Sequence, residues 1–147
     1  MKISVIKAFR IALVLIATVI FLQTCGGCFP NNVNVNSTSS SGSIAIRIDG
    51  IPQPKSGTHY ESMAINGNLT GNGSGDGRTS FNDTKTYEVT PTAINPAPSE
   101  TKTAIKPGNW QVTVSSGTWS ATGNGSVQSN GTRTFVFTFG SSNVNVQ

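Results

Sequence analysis

Two cysteines, one histidine and one acidic loop hold most of the chemistry this chain could perform. Cys25 follows a basic segment (Lys2, Lys7, Arg10) and an uncharged apolar run of twelve residues, Ile11 to Leu22. A thiol placed just past such a run would sit at a membrane surface. Cys28 lies three residues on. The pair could instead close a Cys25–Cys28 disulfide, but a metal site would need further ligands, and no Cys or His follows nearby. His59, the sole histidine, stands in His59-Tyr60-Glu61. Acid–base catalysis there would require a nucleophile and an orienting acid converging on the imidazole. No serine occupies a G-x-S-x-G elbow, and the six acidic residues are widely spread, so the reading is non-catalytic and no cofactor is expected. Asn72-Gly73-Ser74-Gly75-Asp76-Gly77 imitates the opening of a calcium loop, with Asp83 at the twelfth position. Only Asp76 is charged in that opening, so Asn72, Ser74, Asp76 and Asp83 form a weak metal candidate beside a solvated loop.

As a helix the apolar run would rise about 18 Å, well short of a hydrocarbon core of roughly 30 Å, which suits a signal segment better than a permanent span. Leu22-Gln23-Thr24-Cys25 resembles the lipobox of bacterial lipoproteins. The resemblance implies a signal peptide over residues 1–24, cleavage before Cys25, and acylation of that cysteine. Gln23 and Thr24 depart from the small residues usual there. Cys28, preceded by Gly27, is the alternative acceptor, although Cys25 then stands where Leu should. A secreted, non-lipidated protein and an uncleaved signal anchor remain alternatives. Two or three acyl chains would anchor the chain stably. No Asp follows Cys25, so the implied address is the cell envelope, with the outer membrane as the default in a two-membrane bacterium.

Charge supports an extracytoplasmic role over a nucleic-acid one. Lys and Arg number 10 against 6 Asp and Glu, but three of the bases lie in the signal; seven against six remain, a net +1. Those seven are scattered singly, whereas nucleic-acid binding relies on clusters. Six Asn-x-Ser/Thr sequons, at Asn36, Asn68, Asn72, Asn82, Asn124 and Asn130, are what an Asn-, Ser- and Thr-rich composition yields by chance.

Residues 25–42 read as the acylated cysteine and an Asn/Ser-rich tether, too poor in apolar residues to offset the entropy of ordering. Asn32-Val33-Asn34-Val35-Asn36 recurs in part as Asn143-Val144-Asn145-Val146, and the final residues, 141–147, read as a low-complexity tail. Between them, residues 43–140 read as one β domain. Ile44, Ile46 and Ile48 alternate with polar neighbours, the period of a half-buried strand. A weaker strand runs from Tyr60 to Ile65. Thr79–Phe81 and Lys85–Thr90 read as two short strands parted by Asn82-Asp83, and Thr101–Ile105 ends at Lys106-Pro107-Gly108, a strong turn. Trp110, Val112 and Val114 alternate into a hairpin at Ser116-Gly117 that returns through Trp119 and Ala121, with Val114 expected opposite Trp119. A second hairpin is expected around Asn130-Gly131, pairing Gly125–Gln128 with Thr132–Phe139 and lining Phe135, Phe137 and Phe139 along one face. About seven or eight strands with material for one modest core predict a single all-β, antiparallel sandwich.

The segments Gly42 to Pro52 (GSIAIRIDGIP) and Thr103 to Val114 (TAIKPGNWQVTV) resemble the opening strand and the Pro-Gly-aromatic turn of prealbumin-like, carboxypeptidase-regulatory-like Ig-type domains. The resemblance covers both ends of the domain; the middle, Asn66 to Pro98, departs from it. It implies an Ig-like sandwich acting as a structural or interaction module, with an envelope protein or a glycan as partner and no nucleic acid. Both tryptophans are expected in the core. Tyr60, beside a loop, is the freer aromatic for binding.

Overall fold

The computed structural model of the chain describes residues 40–70, 77–117 and 119–147. The signal segment, Cys25, Cys28 and most of the tether lie outside the described residues, as do Asn72, Ser74 and Asp76.

Apolar side chains at every second position dictate the strands. In β1 (Gly42–Asp49), Ile44, Ile46 and Ile48 are buried while Arg47 and Asp49 face solvent. The same alternation places Met63 and Ile65 of β2 (His59–Thr70) and Phe81, Tyr87 and Val89 of β3 (Ser80–Val89) in the core. After β4 (Ile94–Asn95) and β5 (Ser99–Ile105), β6 (Gly108–Ser116) buries Trp110, Val112 and Val114 completely. There follow β7 (Trp119–Val127), β8 (Thr132–Thr138) with Phe135 and Phe137 fully buried, and β9 (Val144–Val146). Each such side chain taken from water contributes about 1.5–3 kcal/mol.

The strands form two sheets, in the order β5-β1-β8-β9 and β4-β3-β2-β6-β7, packed face to face over one apolar core. The described residues thus form the all-β sandwich expected from the alternation, with nine strands among them rather than seven or eight. All strand-to-strand ladders among the described residues are antiparallel except that of β1 with β8, which runs parallel from Ser43↔Thr132 to Asp49↔Thr138; a single parallel bridge joins Arg78 to Ile105.

Four expectations are corrected. The two short strands around Asn82-Asp83 are one, because Asn82 and Asp83 pair with Asn66 and Ile65 of β2 without interruption. The β6–β7 hairpin places Ser116 opposite Trp119 and Val114 opposite Ala121, since Ser116, expected in the turn, is still paired in the ladder. The turn at Asn130-Gly131 is present, with Asn130 in the left-handed region (φ 58°), yet β7 and β8 lie in different sheets. The turn carries the chain across the sandwich, where β8 slots between β1 and β9. Finally, Val144–Val146 in the segment read as a tail pair with Phe137 and Phe135 as an edge strand.

The two long sides of the sandwich close differently. At one, Gly123 and Gly125 of β7 leave room for Phe135 and for Val144 and Val146 of β9; a Cβ at Gly123 would lie 2.8 Å from Val144 Cγ1 and 2.9 Å from Phe135 Cδ1. Trp119 is half-buried there rather than fully inside. It packs on Phe139 with ring centroids 5.0 Å apart and donates its indole N–H to Ser141 O at 2.8 Å. Trp110 is fully buried, stacked on Phe81 at 5.8 Å, and donates to Lys106 O at 2.7 Å.

Candidate functional site

The opposite side closes with charge. The inward phase of β3 carries Asp83 and Lys85 between Phe81 and Tyr87, and the inward phase of β5 carries Glu100 and Lys102. Lys102 Nζ donates to Asp83 and, at 3.1 Å, to Glu100 Oε2, which also takes Lys85. The four alternate in sign across the gap between the sheets. The Glu100 and Lys102 side chains are only 9% and 11% exposed, against 40% for Asp83. Lys102 also stands 5.6 Å over the Phe81 ring.

The hydrogen bond from Lys102 holds the Asp83 carboxyl below its ordinary value against partial burial, with the Lys102, Arg78 and Lys85 charges adding to the effect. Burial alone would lower the Lys102 pKa, but its bonds to Asp83 and Glu100 outweigh this and raise it. Burial and then the Glu100 charge push the Tyr87 phenol up. Asp83, proposed from spacing as a twelfth-position metal ligand, is therefore the partner of an ammonium group. Among the described residues no three His, Cys, Asp or Glu side chains converge.

The β pleat divides His59-Tyr60-Glu61. His59 and Glu61 share the phase of Met63, and Glu61 accepts a hydrogen bond from the Ser116 hydroxyl. Tyr60 points to the other face and is 69% exposed, the one large aromatic so placed among the described residues. It lies opposite Glu88 of β3.

That face, the outer side of the five-stranded sheet, was not legible as a unit from the sequence. One row crosses it as Asn82, Asn66, Thr113 and Thr122; the next runs Ser80, Asn68, Gln111 and Asn124. From Ser62–Thr86 at one end to Thr70 and Asn109 at the other, every outward residue of β2, β3, β6 and β7 is Ser, Thr, Asn or Gln, save Ala64. Within these strands no charge enters until Glu88, at the Tyr60 corner; exposed Arg78 stands just before β3 at the opposite end. Thr113 and Thr122 hydroxyls bond at 2.8 Å, Gln111 Nε2 donates to Asn124 Oδ1 at 3.3 Å, and Thr70 donates to Asn109 O at 2.9 Å. Between β2, β3 and β6 an open depression of about 480 Å³ is lined by Asn66, Asn68, Ser80, Asn82 and Thr113, with Phe81 at its base. Asn66 Oδ1 is buried there without a hydrogen-bond partner among the described residues. The signal that could have found this face is the out-of-phase half of each strand, read across four strands at once.

Comparison with protein-family models, with curated proteins and with solved structures finds no match to this chain.

Proposed function

We propose that the chain is a bacterial lipoprotein, anchored in the cell envelope through acylated Cys25, whose sandwich serves as a non-catalytic structural or interaction module. The observation that carries this reading is the sequence of basic residues, a twelve-residue apolar run and Leu22-Gln23-Thr24-Cys25. The run is too short to span a membrane as a helix, and a thiol follows it at the membrane surface. The first strand begins at Gly42, so a tether of some seventeen residues separates anchor from domain. Outer-membrane placement is part of the proposal.

Growth of the bacterial host with radiolabelled palmitate tests it. The wild-type chain should incorporate label and sediment with membranes, and Cys25→Ser should lose both. Labelling retained in Cys25→Ser but lost in Cys28→Ser would transfer the anchor to Cys28, and an unlabelled wild type would refute lipidation.

A further inference from the structure

We propose that the outer face of the five-stranded sheet binds a neutral, hydroxyl-rich polysaccharide strand, seated over the depression at Asn66 and Asn82. The proposal goes beyond the anchor and does not depend on it.

Charge is the first argument. An exposed sheet face commonly carries Lys and Glu, which keep it soluble and blunt association. Here the four strands β3, β2, β6 and β7 present amides and hydroxyls, with Ala64 the one exception, over their shared length, while Asp83 and Lys85 of β3 point inward to the inter-sheet network. A polyanion or a charged peptide finds no complementary charge. A sugar hydroxyl both donates and accepts, and so do amide and hydroxyl side chains, so a neutral glycan can satisfy either role at each position.

The second argument is the buried, unpartnered Asn66 Oδ1. A buried acceptor without a donor is costly, and Asn66 is itself one of the polar residues that line the depression on three strands. A turn of its amide toward a ligand hydroxyl would supply the donor. The third is shape and order. Four strands at about 4.8 Å give a row roughly 14 Å long, open at both ends, the extent of a short oligosaccharide within a polymer. Cross-strand bonds such as Thr113–Thr122 hold it in place before binding. Tyr60, 69% exposed, is in the same outward phase of β2 but six residues from Asn66, about 20 Å along the strand, and lies outside this row.

The test is co-sedimentation of the purified full chain, in detergent, with microcrystalline cellulose and with chitin, beside heparin-agarose. Retention on cellulose or chitin should persist from low to molar salt, with no salt-resistant retention on heparin. Asn82→Asp and Asn66→Ala should each weaken binding about tenfold, the loss of one or two well-placed hydrogen bonds, at an unchanged melting temperature. Tyr60→Ala beyond the row, Arg47→Ala on the other sheet and Cys25→Ser should bind as wild type. Failure to bind either polymer overturns the proposal, as does wild-type binding by both Asn variants. Salt-sensitive binding to heparin alone would assign the chain a polyanion site instead. A dimer abolished by Asn82→Asp would make the face a contact between copies.

Discussion

Gly67→Ala tests whether the sandwich is built around a glycine–aromatic contact. Gly67 lies in the inward phase of β2, opposite Phe81 on one side and Val112 on the other. The Phe81 ring lies over its backbone, so a Cβ there would stand 2.7 Å from Cε2 and closer still to Cζ and Cε1. Ordinary contact needs about another ångström. The ring cannot simply withdraw, because its far side stacks on fully buried Trp110 with planes 15° apart. Overpacking of this kind costs about 1–3 kcal/mol. Without the clash, Ala for Gly in a strand would gain about 0.5–1 kcal/mol. In a Phe81→Ala background, itself destabilised by about 3–5 kcal/mol, Gly67→Ala should therefore turn slightly stabilising, a coupling of roughly 1.5–4 kcal/mol. Urea unfolding followed by tryptophan fluorescence measures all four corners of the cycle. In thermal scans each kcal/mol corresponds to about 4–8 °C for a domain near this size. Equal losses in both backgrounds would refute the contact as the cause.

Trp110→Ala should cost about 3–5 kcal/mol, as a fully buried ring that loses both its stack and its bond to Lys106; Trp119→Ala, half-buried, should cost visibly less, and the reverse order in urea midpoints would contradict the packing. Val144→Asp should destabilise by about 1–3 kcal/mol and raise amide exchange along β8, since β9 covers Phe135 and Phe137; an unchanged exchange profile would return this segment to a tail. Stability should form a plateau with two flanks. Asp83 is lowered from 3.8 in the fold, so its contribution is present above that value and lost as pH falls through the folded pKa; Lys102 and Tyr87 are raised from 10.5 and 10.0, so theirs is present below those values and lost as pH rises through the folded ones. Lys102→Met should flatten the acid flank in pH-dependent unfolding while lowering the plateau by about 1–3 kcal/mol, less than for a fully buried pair because Asp83 is 40% exposed; an unaltered acid flank would remove Asp83–Lys102 as its source.

How far the sequence could be read follows from how local each determinant is. β1, β6 and β8 were legible because Ile44-Ile46-Ile48, Trp110-Val112-Val114 and Phe135-Phe137 declare their buried phase without reference to any other segment. β3 was not, since its inward Asp83 and Lys85 look like solvent positions until β5 is brought opposite with Lys102 and Glu100. Asn130-Gly131 announces a turn, but turn chemistry does not say which sheet receives the next strand. Val144–Val146 is three residues long, below the length at which alternation differs from chance, and only the room above Gly123 and Gly125 makes it a strand.

Tyr60 was legible as a free aromatic from its place beside a loop; the surface it borders was not. Each of Asn66, Asn82, Thr113 and Thr122 reads singly as the solvent half of a strand, and only the register aligns them into one row. The physical link between that row and the core is β3 itself, where the pleat sends Asp83 and Lys85 inward and Asn82, Thr84 and Thr86 outward. A sandwich seeking only solubility would do better with the reverse, apolar residues inside and the two charges outside, because buried ion pairs add little net stability over well-packed apolar side chains. The arrangement costs core and leaves Glu100 Oε1 without a partner among the described residues. What it secures is a long, ordered, uncharged outer face, and that is the feature a neutral ligand requires.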